Sequence, residues 1–216
     1  VGRMSTAAFE ARVIELTALA VEDRVPVLAG VGFGQRLGVE MAQAAEKAGA
    51  DGVLVFPPYY PQADDDGMFE YYRSISQATR LGTIVYSRDW ARFTPAMVER
   101  LTALPNLIGW KDGHGDLRQL QTIMHGVGER LVWIGGAGDD LIGVYYRIGI
   151  RAFSSSIATV APALSLKLHE LATADDGEGL GELLESCVIP LYELRSRRKG
   201  YEVSAMKAMM DMVGLN

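Results

Sequence analysis

The chain has 216 residues, a formal net charge of −6, 49% apolar residues and 22% charged residues. This composition is typical of a globular protein that can bury a core without disulfides or a structural metal. A pI of about 5.1 argues against a protein that binds nucleic acid or an anionic membrane, which would carry a basic face. The single cysteine, Cys187, cannot form an internal disulfide and suits a reducing compartment, so we expect a cytoplasmic protein.

Six short apolar runs are the predicted strands. They are rich in Val, Ile and aromatic residues, and each ends at Gly, Pro or a polar residue. Their nearly continuous apolar character is typical of strands buried on both faces of a parallel sheet. The predicted strands are Pro26–Gly32, Gly52–Pro58, Thr83–Arg88, Leu107–Gly113, Leu131–Ala137 and Arg151–Ile157.

Stretches of helical length precede, separate and follow these runs. The acidic group 64–66 supplies N-cap candidates, and Thr94 with Pro95 predicts a helix start with a capping hydroxyl and proline at the first helical position. The predicted helices are Ser5–Val21, Gln35–Ala48, Asp66–Arg80, one from Thr94, Asp116–Gly126, Asp139–Ile148, Ala161–Thr173, Asp176–Leu194 and Tyr201–Val213.

The alternation of strand and helix predicts an α/β fold. Successive strands begin 26, 31, 24, 24 and 20 residues apart, which is one βα unit per interval. Polar residues gather after the strands, as at the carboxyl face of a (β/α)8 TIM barrel, and this favours the barrel over an open doubly wound sheet. Six strands would not close such a barrel. We therefore expect an incomplete barrel over residues 1–174, with C-terminal helices over 175–216 packed on it in a single domain.

Lys111 is the strongest candidate for chemistry. It ends an apolar strand, where desolvation favours the neutral amine that attacks carbonyl groups. The alternative is a structural lysine paired with Asp112 or Asp139. Tyr86 ends the preceding strand, so its hydroxyl could exchange protons near that amine, unless it is a core tyrosine.

Arginine and serine side chains could bind a polar ligand. Arg88 and Arg92 follow the third predicted strand and could hold a carboxylate, or they could form surface pairs with Asp89. Ser154, Ser155 and Ser156 lie inside a predicted strand, where hydroxyl groups need partners.

Three other patterns are weaker. The segment 30–34, with glycine at 30, 32 and 34, lacks the third glycine of a G-x-G-x-x-G dinucleotide fingerprint, because position 35 is Gln. The histidines at 114, 125 and 169 show no metal-ligand spacing and are interpreted as surface or rim residues. The acidic group 64–66 is interpreted as a helix cap rather than a metal site.

The segments VLVFPPYY, TIVYSRDW, LIGWKDGHGDL, WIGGAGDD and FSSSIATVAP, in this order, resemble the dihydrodipicolinate synthase / N-acetylneuraminate lyase superfamily. PPYY, YSRDW and GWKDG-x-GD resemble its 5-dehydro-4-deoxyglucarate dehydratase branch more than the synthase branch, which typically has YN-x-P and I-K-E-A-[ST]-G-[DN]. The family's G-[GT]-T-G-E motif has no match in this chain. We therefore expect a chain that lacks the first two barrel strands and the first helix, and that ends slightly early.

The resemblance implies a role for several residues. Lys111 takes the place of the Schiff-base lysine and Tyr86 that of the proton-relay tyrosine. Ser154 takes the place of a pocket-lining residue, and Tyr60 that of a residue that reaches a neighbouring subunit's site. We suggest that Arg88, which has no synthase counterpart, holds the distal carboxylate of a dicarboxylate substrate.

The resemblance also implies a reaction, a substrate class and an assembly. The reaction is decarboxylating dehydration of a keto-deoxy sugar diacid through a lysine imine, without metal or organic cofactor, in a homo-oligomer (tetramer or dimer). Two alternatives stay open at this point. One is another lyase of the group, a 2-keto-3-deoxy sugar-acid aldolase or dihydrodipicolinate synthase, and the other is an inactive remnant or binding subunit.

Overall fold

The computed structural model describes residues 6–59 and 62–215, and the chain divides into two compact units, Val1–Val132 and Trp133–Asn216. The prediction of a single domain with a boundary at residue 174 stays a prediction. No helix in the described ranges combines the length and the apolar character that a membrane crossing requires.

The first unit contains four parallel strands in the order β1-β2-β3-β4, connected by helices. All four predicted strands are confirmed to within two residues at each end. The strands are β1 (Leu28–Phe33), β2 (Gly52–Pro58), β3 (Gly82–Ser87) and β4 (Leu107–Asp112), and the helices are α1 (Thr6–Val21), α2 (Gln35–Lys47), α3 (Asp65–Gln77), α4 (Pro95–Leu101) and α5 (Leu117–Val127).

Side-chain caps begin three of these helices where the sequence predicts a helix start. The Asp64 carboxylate accepts from the Gly67 N–H at 2.8 Å, the Thr94 hydroxyl from the Met97 N–H at 3.1 Å, and the Asp116 carboxylate from the Gln119 N–H at 3.2 Å. Such a cap stabilises a helix by about 1 kcal/mol. The interpretation of residues 64–66 as a helix cap is confirmed.

A chain of aromatic rings fills the core of the first unit beside β4. Phe93 stands edge-on to Trp110, with ring centroids 4.7 Å apart, and its other neighbour is Tyr72 at 5.8 Å. All three side chains are buried. Phe93 lies between β3 and α4, so its burial fixes the connection that leaves the carboxyl end of β3.

The second unit pairs β5 (Val132–Gly135) in parallel with β6 (Ala152–Phe153). Two predictions need correction here. The strand predicted at Arg151–Ile157 contains only two residues, and the serine triple 154–156 therefore does not lie inside a strand. The Ser155 hydroxyl accepts from the Ala158 N–H at 3.1 Å and bonds the Ser165 hydroxyl at 2.7 Å, which favours a turn over further strand.

The remaining helices of this unit are α6 (Ile142–Arg147), α7 (Pro162–Thr173), α8 (Gly177–Leu183), α9 (Ile189–Ser196) and α10 (Tyr201–Met212). The single helix predicted at Asp176–Leu194 is interrupted by a π-helical turn at Leu184–Val188. That turn ends two residues before Pro190, whose missing N–H and ring disfavour a regular α-helix. The helix predicted from Asp139 begins with a 3₁₀ turn, and its α-helical part starts at Ile142.

Candidate active site

The carboxyl ends of β3 and β4 bring Tyr86 and Lys111 together. The two residues are register partners in the parallel ladder. The Lys111 Nζ lies 4.2 Å from the centroid of the Tyr86 ring, which is a cation–π distance. Neighbouring strand ends thus place the Lys111 amine against the Tyr86 ring, while the proton exchange expected between the Tyr86 hydroxyl and that amine stays a prediction.

Lys111 has the electrostatic environment of a reactive amine. The pKa of Lys111 is lowered from the usual 10.5, first because burial removes water from the ammonium and second because the Arg88 cation repels it. A lowered pKa increases the fraction of neutral amine, the form that attacks a carbonyl carbon. Lys111 is half-buried.

Tyr86 is held as a neutral phenol. Its ring is buried and stands edge-on to the Phe56 ring, with centroids 5.4 Å apart. Burial raises the pKa of Tyr86 above 10, and the nearby Arg88 cation opposes part of that shift. A phenol that keeps its proton near an amine can donate that proton to a developing alkoxide.

Arg88 lies against the same aromatic surface. Its guanidinium carbon is 5.1 Å from the Tyr86 centroid and 5.9 Å from that of Phe56. Its Nε donates to the Asp89 carboxylate at 3.0 Å, so Arg88 does form the surface pair considered from the sequence. Because this pair is largely exposed, an anionic ligand can exchange with Asp89 at little cost.

Arg92 does not belong to this group. It lies 3.9 Å from the Asp116 carboxylate, which corrects the alternative pairing with Asp89. Both side chains of that pair are well exposed, so the pair itself contributes little.

A cavity of about 360 Å³ adjoins Arg88 at the carboxyl ends of β1 and β2. Phe33 and Phe56 supply apolar walls, and Arg88 is the cation in the lining. The Trp90 indole N–H donates to the Pro58 carbonyl at 3.0 Å and closes one side. The lining also contains the Asp89 carboxylate, which pairs with Arg88, so a small carboxylate ligand would bind the guanidinium in place of Asp89.

Two predicted site residues are not among the described residues of the first unit. Tyr60 falls outside the described residues. Ser154 belongs to the second unit, follows β6 and is exposed, and its N–H donates to the Gly135 carbonyl at 2.8 Å. A larger cavity of about 530 Å³ in the second unit contains none of the predicted site residues.

Sequence reasoning missed Phe56 and the turn that follows Lys111. The aromatic residue before Pro57 and Pro58 at a strand end was the available signal for Phe56. In the turn, the buried Asp112 carboxylate accepts from the N–H groups of His114 at 3.1 Å and Gly115 at 3.0 Å. Over the described residues, no group of three His, Cys, Asp or Glu side chains could hold a metal ion.

These features define a class: an α/β chain of parallel strands whose carboxyl edge carries a partly buried lysine beside a neutral tyrosine. The family model described as the dihydrodipicolinate synthetase family matches residues 3–216, and the chain belongs to that family. A solved structure titled dihydrodipicolinate synthase from Oceanobacillus iheyensis is 28% identical, with a TM-score of 0.90 over 98% of this chain and 71% of that one. This likeness confirms the predicted barrel-type fold class.

Curated relatives that are similar to this chain carry the name probable 5-dehydro-4-deoxyglucarate dehydratase. This confirms the resemblance to that branch of the family. One from Streptomyces griseus is 42% identical over 91% of this chain and 65% of its own length. Another, from Azotobacter vinelandii, is 34% identical over 94% of this chain and 68% of its own length. The chain thus spans about two thirds of the length of these relatives.

Proposed function

We propose that this chain carries the Schiff-base centre of a decarboxylating dehydratase that converts 5-dehydro-4-deoxy-D-glucarate to 2,5-dioxopentanoate, water and CO2. The contact between the Lys111 amine and the Tyr86 ring carries the proposal. The names of the relatives supply the substrate, and the family membership supplies the reaction class.

The chemistry begins at the ketone beside the substrate carboxylate. The neutral Lys111 amine adds to the carbonyl carbon, Tyr86 donates its proton to the alkoxide, and loss of water gives an iminium. The iminium acidifies the neighbouring CH2, because the electron pair left after deprotonation delocalises as an enamine. The Tyr86 phenolate left by the first step takes the CH2 proton and passes it to the β-hydroxyl, which that electron pair then expels as water.

Decarboxylation at the distal carboxyl group of the substrate and hydrolysis of the imine complete the reaction. The bond to the distal carboxyl group breaks, its electron pair flows towards the lysine-bound nitrogen, and CO2 leaves. The resulting dienamine is protonated at carbon and its enol tautomerises to the aldehyde, after which water releases the product and regenerates the amine. The lysine is the electron sink, so this sequence requires no metal or organic cofactor.

The other predicted residues bind substrate in this proposal. Arg88 holds a carboxylate at the mouth of the cavity in the first unit, after exchange with Asp89. Ser154 keeps the pocket-lining role, and Tyr60 the role at a neighbouring subunit's site, that the family resemblance implies. A homo-oligomer, as a tetramer or dimer, belongs to the same proposal.

A second candidate, dihydrodipicolinate synthase, is favoured by the solved structure at 28% identity. Both reactions share the lysine imine and differ in the carbonyl compound that forms it. The synthase condenses pyruvate, whereas the dehydratase takes a six-carbon keto-diacid. Substrate preference therefore separates the two candidates.

The test is borohydride trapping with 5-dehydro-4-deoxyglucarate, followed by peptide mass mapping. We expect a reduced adduct on the peptide that contains Lys111, loss of the adduct in Lys111→Arg, and slower trapping in Tyr86→Phe. Lys167, which is exposed on α7, is the internal control and should carry no adduct. An adduct with pyruvate alone would favour the synthase, and no adduct with either compound would refute the lysine mechanism.

A further inference from the structure

The loop that carries Arg88 has an exposed beginning and a second half anchored by buried side chains. We call residues 88–94 the Arg88 loop. Ala91 and Phe93 are buried, whereas the side chains of Arg88 and Asp89 are 40% and 65% exposed. Asp89 has a φ of +55°, a conformation that L residues other than Asn and Asp seldom adopt. The conformation of Arg88 and Asp89 therefore depends on contacts made by the residues around them.

The turn after the reactive lysine provides those contacts. We call residues 112–116 the lysine turn. Its Gly113 N–H donates to the Ser87 carbonyl at 2.7 Å, and the His114 Nε2–H donates to the Ala91 carbonyl at 3.1 Å. From the following helix, the Gln119 amide donates to the Phe93 carbonyl at 2.8 Å. Three donors thus reach carbonyls spaced along residues 87–93.

The backbone of His114 is also held, within the lysine turn. Its backbone N–H donates to the buried Asp112 carboxylate, so the imidazole extends from a turn that is itself anchored. The bond to a carbonyl requires a proton on Nε2, which selects that tautomer for the neutral ring. His114 therefore connects the residue after Lys111 to the loop that presents Arg88.

We propose that His114 is a positioning residue that holds the Arg88 loop against the Tyr86 ring, so that the Arg88 guanidinium stays beside the Lys111 amine. His114 itself does not touch substrate. The inference rests on the proposed function only in treating Lys111 as the nucleophile and Arg88 as a carboxylate ligand. The two cations share one aromatic ring, with the Lys111 Nζ at 4.2 Å and the Arg88 guanidinium at 5.1 Å from its centroid.

The position of Arg88 then affects both reactivity and binding. The Arg88 charge lowers the pKa of Lys111, and the charges of Arg88, Asp89 and Asp112 act on the pKa of Tyr86. If the Arg88 loop moves away, a repelling cation leaves Lys111 and the pKa of its ammonium rises. The carboxylate ligand also leaves the cavity, so substrate binding weakens.

The test measures the pKa of Lys111 without substrate. Trace labelling with acetic anhydride across a pH series, read by peptide mass spectrometry, gives the titration midpoint of each lysine. We expect an upward shift for Lys111 in His114→Ala and in Arg88→Ala. His114→Gln, whose amide can donate to the Ala91 carbonyl, should restore the wild-type midpoint. His125→Ala, which removes an exposed histidine of α5, is the matched control and should have no effect.

A double variant separates positioning from a general structural effect. Arg88→Ala combined with His114→Ala should shift the midpoint no further than Arg88→Ala alone, because both changes remove the same cation. Additive shifts, or a wild-type midpoint in His114→Ala, would overturn the inference. If His114→Ala does not fold, His114→Phe, which keeps a ring at this position but has no N–H to donate, replaces it, with the same expected shift and the same contrary outcome.

Trapping with the keto-diacid supplies the second readout. In His114→Ala, the half-saturating substrate concentration should rise about tenfold, roughly the contribution of one charge-assisted hydrogen bond. Loss of the maximal trapping rate with unchanged saturation would indicate direct catalysis by His114 and overturn positioning. Absence of any adduct in the wild type would count against the proposed function alone, since the labelling experiment uses no substrate.

Discussion

Gly113 shows how a single residue sets the spacing of the candidate site. A Cβ at this position would lie 2.7 Å from Cε2 of Tyr86, 2.8 Å from the Ser87 carbonyl oxygen and 3.0 Å from Cβ of Arg88. Two of these contacts are with backbone or a Cβ, which cannot move aside as a flexible side chain does. A glycine after Lys111-Asp112 therefore allows β3 and β4 to continue side by side up to the reactive pair.

We predict that Gly113→Ala slows Lys111 trapping by at least about tenfold and destabilises the chain by about 1–3 kcal/mol, the usual cost of overpacking. The matched control is Gly126→Ala in α5, where a Cβ would meet nothing within 4 Å. That variant should keep the trapping rate and gain about 0.5–1 kcal/mol, because alanine is the better helix former. Urea unfolding and trapping kinetics measure both effects. Equal behaviour of the two variants would contradict the packing argument.

At the scale of elements, one carboxylate fastens α2 to the connection between α3 and β3. Glu46 accepts from the Thr79 hydroxyl at 2.7 Å, the Arg80 N–H at 3.0 Å and the Arg80 Nε at 2.7 Å. These hydrogen bonds, led by that of Thr79, lower the pKa of Glu46 from 4.5 to about 2. The carboxylate form is therefore favoured by folding.

The sign of this shift predicts an acid-sensitive contribution to stability. The unfolded chain takes up the Glu46 proton near pH 4.5 and the folded chain only near pH 2. The contribution is therefore complete above pH 4.5 and is lost as the pH falls towards 2. In Glu46→Gln, the free energy of unfolding should fall less between these pH values than in the wild type, with Thr79→Val intermediate. Identical acid profiles, measured by urea unfolding at each pH, would refute the assignment.

The strands of the first unit could be predicted because each is an apolar run bounded by residues that end strands, such as Gly52 and Pro58. Lys111 and Tyr86 could be predicted as neighbours because parallel strands end at a common edge. The strand predicted at Arg151–Ile157 is longer than the observed one. The hydroxyl of Ser155 bonds Ala158 and Ser165, and these bonds replace the hydrogen bonds of a longer strand. The bond from His114 to Ala91 joins residues 23 apart in sequence, and nothing in either segment indicates the other.

At the scale of the whole molecule, α1 presents an apolar stripe to solvent. Phe9, Val13 and Leu16 follow a helical spacing of four and three residues, so they share one face. They are 58%, 48% and 49% exposed, although α1 packs against α2. Contiguous apolar surface of this kind favours association between protein molecules.

The net charge of −6 opposes that association, because like-charged copies repel each other. The competition between this repulsion and apolar burial predicts how added salt changes self-association. Salt screens repulsion between like-charged copies but does not weaken apolar burial. We predict that the weight-average mass in sedimentation equilibrium rises with protein concentration and rises further with added sodium chloride. Phe9→Glu with Leu16→Glu should remove most of this increase, whereas Leu166→Glu, at an exposed leucine of α7, should retain it. A mass that stays monomeric at every salt concentration, or an increase that survives the double change in α1, would show that this stripe does not mediate self-association.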